Sequence, residues 1–164
     1  MNHELARLIT EAGVDGAAGE PLRLAFGLAC VNRVRHLLED PRALECLDAL
    51  QDHVSGCCTA DRFAQAREAI AEIARGHRGS NSIDGTAHAA VSATYSVANA
   101  LAGRALDAAN YAAYATVYAY GGYAISDPAA FAPEFEWQVE KWEELIRGGF
   151  ESFATVAQGS HFRT

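Results

Sequence analysis

The segment from residue 88 to residue 123, HAAVSATYSVANALAGRALDAANYAAYATVYAYGGY, most constrains how this chain can fold. It is rich in alanine, and all six tyrosines of the protein lie within it. Alanine is the strongest helix former and loses no side-chain entropy on folding. Two alanine-rich helices can approach closely, so the bulk between them must come from a few large residues. Here those are tyrosines, each with an apolar body and a hydroxyl that needs a partner when buried. The pattern predicts one helix capped by Asp84 and running to Ala102, with Gly103 after it, where a left-handed residue is cheap. A second helix runs from Ala105 and stops at Gly121-Gly122.

At roughly 100° per residue, the first helix carries an apolar stripe of Ala87, Val91, Thr94, Ala98 and Leu101. Beside it lies a polar line of His88, Ser92, Tyr95 and Asn99. The second helix carries Leu106, Ala113, Val117 and Tyr120 on one line. Asp107, Tyr111, Tyr114 and Tyr118 form another, with Asn110 at its edge. An antiparallel hairpin turning at Gly103 brings Asn99 level with Asp107, Tyr95 with Tyr111, and His88 with Tyr118. Such a seam either satisfies its own polar groups between packed helices or opens as a pocket. The pocket would be lined by His88, Tyr95, Asn99, Asp107, Tyr111, Tyr114 and Tyr118.

The rest of the chain reads as helix after helix. Asn2 caps a short helix ending at Ala12, and GVDGAAGE is a turn-rich connector. Pro21 suits the first position of a second helix. Its line Leu22, Phe26, Ala29, Cys30, Val34, Leu37 predicts a run to Leu38. Asp40 caps a third helix with Pro41 in its first turn, and Leu44, Leu47, Leu50 and Val54 carry it to Gly56. Thr59 caps a fourth, with Phe63, Ala66, Ile70 and Ile73 inward. RGHRGSNSIDG then breaks the pattern and is expected to be a mobile loop. Ser126-Asp127-Pro128 and Pro133 punctuate the connection to a closing helix, PEFEWQVEKWEELIRGG, with Phe135, Val139, Trp142 and Ile146 inward. The tail from Phe150 reads as a short helix or a docked coil. No stretch alternates with period two for long enough to make a strand.

The expected fold is therefore all-α, a single-domain bundle of six to seven helices around the Ala/Tyr-rich antiparallel pair. Residues 20–147 form its core, and 1–19 and 148–164 are peripheral. A chain of 164 residues can bury such a core without staples.

The net charge of −8 argues against a nucleic-acid partner and suits a partner with a basic surface. No apolar run reaches the ~18 residues of a membrane span, and no signal-peptide pattern opens the chain. A cytoplasmic protein is expected. Cys30 and Cys46 lie on apolar helix faces, and Cys57-Cys58 are adjacent, unlike a secretory disulfide framework. His53 stands one turn before that pair, but a fourth zinc ligand is missing, so no metal is expected. Phosphate-binding glycine loops and serine elbows are absent. His88 and Asp107 alone make a thin acid–base pair, so neither a catalytic residue nor a cofactor is expected. Acid concentrates in the closing helix, where Glu136, Glu140, Glu143 and Glu144 share much of one face with Trp137 beside them. Such a face is either simply solvated or attracts a basic partner. Trp137 is a binding anchor if exposed and a core contact if it packs on a neighbouring helix.

A family resemblance rests on LACVNRVRHLLEDPRALECLDAL, QAREAIAEIA, AHAAVSATYSVANAL, DAANYAAYATVYA and EFEWQVEKWEELI, taken in that order from Leu22 to Ile146. This succession resembles the Imm-5-like putative immunity proteins of bacterial toxin systems. GHRGSNSIDG and the tyrosine-heavy helix depart from the pattern. The resemblance implies an all-helical, non-enzymatic binder that protects a cell from a cognate toxin, and it assigns no catalytic residue. With the charge, it makes the expected partner a basic toxin and the expected contact surface Glu136, Trp137, Glu140, Glu143 and Glu144. Two alternatives stand beside it: a small-molecule-binding domain using the seam, and a structural homo-oligomer, down to a homodimer, held by an Ala-rich face.

Overall fold

Gly103 adopts a left-handed conformation, with φ of 73°, and turns the Ala/Tyr segment back on itself as the sequence requires. The structure, a computed structural model, describes residues 1–77 and 86–148. The α-helices are α1 (His3–Ala12), α2 (Glu20–Asn32), α3 (Pro41–Val54), α4 (Ala60–Arg75), α5 (Thr86–Leu101), α6 (Ala105–Tyr120) and α7 (Ala132–Gly148). Short 3₁₀ turns join several of them, and there is no strand among the described residues. The fold is all-α. The loop expected over 75–85 begins only after α4, which runs to Arg75, and its residues 78–85, the Asp84 cap and the tail from Phe150 lie outside the described residues.

The local signals act where the sequence places them. Asn2 accepts a hydrogen bond from the Leu5 amide, Asp40 from Arg42 and Thr59 from Arg62, each satisfying an orphan donor of a first turn. Gly13 ends α1 in the left-handed conformation. The second helix is shorter than its periodicity predicts. After Asn32 the amides of Arg33 and Val34 bond to Cys30 and Val31, three residues back, and a 3₁₀ turn covers Arg35–Leu37. This tightening keeps Val34 in the core while Leu37 is only half-buried. Pro21 falls one position later than expected, because α2 begins at Glu20.

Inside the α5–α6 pair, the deep positions belong to small residues. Ala89, Ala93, Val97 and Ala100 are buried on α5, and Ala105, Ala108, Ala109, Ala112, Ala113 and Ala115 on α6. The stripes drawn from the sequence hold in part: Thr94 and Leu101 on α5 and Ala113 and Val117 on α6 are buried, whereas Val91, Ala98 and Leu106 are half-buried and Tyr120 points to solvent at 72 % exposure. Close approach of the two helices seats alanine at most of the positions where they touch. The Ser96 hydroxyl, also buried, donates to the Ala108 carbonyl at 2.7 Å across the interface.

α2 lies across this pair and is buried on several sides through Leu22, Leu24, Phe26, Leu28, Cys30 and Val31. Its crossing with α5 is set by Gly27, where a Cβ would sit 3.0 Å from the Ala100 Cβ and 3.1 Å from its Cα. Two guanidiniums close the end of α5. Arg23 of α2 donates to Gly103 O at 2.9 Å, and Arg67 of α4 donates to Leu101 O at 2.9 Å. Cations on the free carbonyls at a helix C-terminus suit both its hydrogen bonding and its dipole. One hydrophobic cluster runs from Leu5 to Trp142. Leu5 and Val14, from the segment before residue 20, belong to it, although most of that segment is exposed.

A buried polar network fastens α1 and α7 to α6. Asn2 is 3 % exposed and Gln138 is 1 % exposed. The Asn2 amide group donates to Gln138 Oε1 at 3.0 Å and to Phe135 O at 3.1 Å, and its backbone N–H donates to Asn110 Oδ1 at 3.1 Å. Gln138 in turn donates to Ala109 O at 2.8 Å. Every polar atom here that were to lose its partner would carry a desolvation penalty.

Gly27→Leu should lower stability by about 1–3 kcal/mol through overpacking against Ala100. In urea unfolding this appears as a lower midpoint with an unchanged slope; an unchanged midpoint contradicts the close crossing. Asn2→Ala and Gln138→Ala should each cost about 1–3 kcal/mol, and the double variant less than their sum, because one bond is shared. Additive costs would show that the two side chains do not bond.

Candidate functional site: an acid-rimmed groove between the first and last helices

α1 and α7 lie side by side in parallel. His3 and Glu4 share a cavity with Phe135, Glu136, Val139 and Glu140, while Leu8 and Glu11 share the next with Trp142, Glu143, Ile146 and Arg147. The first cavity, of about 820 Å³, has an apolar floor of Ile125, Pro128, Phe131, Phe135 and Val139. The second, of about 490 Å³, is walled by Leu8, Val14, Leu22, Trp142 and Ile146. The two cavities follow one another along the α1–α7 junction, and we call this face the groove. Phe135, Val139 and Ile146, expected to face the core, are half-buried along it.

Trp142, expected inward with them, is fully buried, and so is Gln138 four residues before it. Trp142 meets Phe26 edge-on, with ring centroids 5.2 Å apart. Its buried indole N–H has no hydrogen-bond partner among the described residues.

The rim of the groove is acidic. Glu136, Glu140 and Glu143 are exposed, and among the described residues none of them makes an ion pair or hydrogen bond. Their spacing of i, i+4 and i+7 sets like charges along one face, where they repel one another and sum their field. Glu4 and Glu11 face them from α1, both bonded to Arg7. The Arg7 hydrogen bond holds the Glu4 carboxyl below the usual carboxylate range, and the same two glutamates push the guanidinium further up.

The other two residues of the expected contact surface are engaged. Glu144 accepts from Lys141 at 3.2 Å. Trp137 packs on the core, half-buried under the Arg33 guanidinium, which lies 4.1 Å from its ring centroid. Arg33 is fixed there by a two-pronged bond to Glu134, at 2.7 and 3.0 Å, which also raises its pKa. Trp137 is thus a structural contact of α7 with the end of α2.

The α5–α6 seam brings two of its three expected pairs together. Tyr95 stacks on Tyr111 and His88 on Tyr118, with centroids 5.3 and 5.4 Å apart. Tyr114 leans on Tyr118 and meets Phe131 edge-on. The third pair does not form. Asn99 donates to Tyr95 O and accepts from Arg104, and Asp107 is exposed with no bond to it. Asn110, placed at the seam edge by the wheel, turns to α1 and holds the Asn2 amide. Rings at these distances are in contact, so nothing fits between them; a ligand here would lie on the tyrosine edges.

No metal-binding group of three or more His, Cys, Asp or Glu residues exists among the described residues. His53 stacks flat on Phe63 at 3.9 Å, and the Cys57 and Cys58 thiols lie against the backbone oxygens of Ser55 and Thr59. Burial pushes the Cys30 and Cys46 thiols up, which keeps them protonated and poor nucleophiles. No helix among the described residues is long and apolar enough to cross a membrane.

Sequence reasoning missed the groove because its walls come from the two ends of the chain. The available signal was α1, whose Glu4, Leu8 and Glu11 repeat at helical spacing.

No curated protein and no solved structure matches the chain. A family model described as Imm-5 like putative immunity protein matches residues 25–145, from the first turns of α2 to the last turn of α7. That span takes in the Ala/Tyr hairpin, the crossing at Gly27 and the acidic wall of the groove, and the chain belongs to the Imm-5-like immunity protein family.

Proposed function

We propose that this protein is a non-enzymatic immunity protein that neutralises a cognate toxin by binding it, with the groove between α1 and α7 as the contact face. The family supports an immunity role. The observation that carries the surface assignment is the line of Glu136, Glu140 and Glu143, without internal partners, along an apolar groove. Uncompensated carboxylates around apolar surface match a partner that is basic around an apolar patch. Long-range attraction between them raises the association rate, while the apolar floor supplies residence time. The overall charge of −8 acts in the same direction. An inhibitor of this kind needs no catalytic group: covering the toxin's active or entry surface is sufficient.

The first test is co-expression with the product of the adjacent gene, which should copurify with this protein. The second is the triple variant Glu136→Lys, Glu140→Lys, Glu143→Lys. Association with the copurified toxin should slow by about tenfold or more at low salt and lose most of its salt dependence. Stability should change by less than about 1 kcal/mol, since exposed helix charges contribute only a few tenths each. Unchanged association rate and salt response would show that this face is solvated surface only.

A further inference from the structure

The α7 wall of the groove repeats itself. The first cavity is walled by Phe135, Glu136, Val139 and Glu140, and the second by Trp142, Glu143, Ile146 and Arg147. Each member of the second set stands seven residues after a member of the first. On α1, Glu4 borders the first cavity and Glu11 the second, again seven apart. An α7 wall that repeats every seven residues, faced by Glu4 and Glu11 at the same interval on α1, offers paired holes of the kind a third helix fills with knobs in a coiled coil. Seven residues of helix rise about 10.5 Å and return to within about 20° of the same face. A helix laid along the groove would therefore seat one bulky side chain in each hole if those side chains were at i and i+7.

The rim decides which helix. Glu4, Glu11, Glu136, Glu140 and Glu143 line the two edges, with Arg7 bonded to the first two and Arg147 at the far end. A second copy of this chain would bring the same acidic rim and be repelled, whereas Lys and Arg flanking the apolar anchors would be attracted.

We infer that the groove receives a cationic amphipathic helix of the partner, with bulky apolar side chains at i and i+7 seated in the two cavities. This rests on the reading of the groove as the toxin-facing surface, and it names the element of the toxin that enters. Helix-in-groove recognition is a general way to dock an amphipathic segment on apolar surface.

The probe is a synthetic, fluorophore-labelled helical peptide of alanine and lysine with leucine at i and i+7, titrated against the full-length protein by anisotropy. Control peptides move the second leucine to i+5, on another face, or replace both leucines with alanine. Each control should bind about tenfold more weakly or worse, the loss expected for one large side chain left outside its pocket. Glu136→Lys with Glu140→Lys in the protein should weaken the parent peptide by a similar factor, and these exposed sites leave the fold intact, as circular dichroism would check. Val139→Lys should block the first cavity. Absence of binding, equal binding of the i+5 peptide, or equal binding to the Glu136/Glu140 variant would overturn the inference. A toxin that copurifies while the peptides fail would sink the helical occupant and leave the immunity reading standing. Peptides that bind while no toxin copurifies would uphold the groove and sink that reading.

Discussion

The hydrogen bond between Asn2 and Gln138 is the interaction on which the candidate site depends. It joins the first turn of α1 to the middle of α7, and through Ala109 and Asn110 both helices are tied to α6. Both side chains are buried, so neither can exchange this arrangement for water. A purely apolar contact between α1 and α7 would allow the helices to slide. A fixed set of donors and acceptors allows one register, and that register sets Glu4 and Glu11 of α1 against the seven-residue repeat of α7. The same asparagine caps α1, so starting the helix and placing it are one event.

Beneath that network, the fold is an exercise in close approach. Gly27 against Ala100, and alanine against alanine between α5 and α6, bring backbones together and leave little room for side-chain bulk. Bulk concentrates elsewhere, in the core around Phe26 and Trp142 and along the margins of the hairpin. Tyrosines stack along the outer edge of the hairpin, arginines cap the end of α5, and the phenylalanines from Phe131 to Phe135 collect at the start of α7. The groove floor is one of those margins. It combines buried residues such as Phe131 with half-buried Phe135 and Val139, leaving apolar surface open beside the acidic rim.

Much of this fold was legible in the sequence because it is written in local chemistry. Asn2, Asp40 and Thr59 announce helix starts, and Gly103 and Gly121 announce stops, since each acts within a few residues of itself. The hairpin pairs Tyr95–Tyr111 and His88–Tyr118 follow from the turn position alone. Gln138 was not legible. A helical wheel sends polar residues outward, and the partners that let a glutamine be buried lie at the opposite end of the chain. For the same reason the acidic face of α7 could be read as a face, but not as the rim of a groove. Glu144 and Trp137 separate from it only through Lys141 and Arg33, whose side-chain directions no periodicity gives.

Amide hydrogen exchange of this protein, alone and bound to whatever partner copurifies on co-expression with the adjacent gene, tests the central claim most directly. The account predicts slowed exchange on binding in residues 3–12 and 132–148, the two walls of the groove, with α3 and α4 unchanged. Protection confined to the tyrosine edge of α5 and α6, with α1 and α7 exchanging as in the free protein, would contradict it.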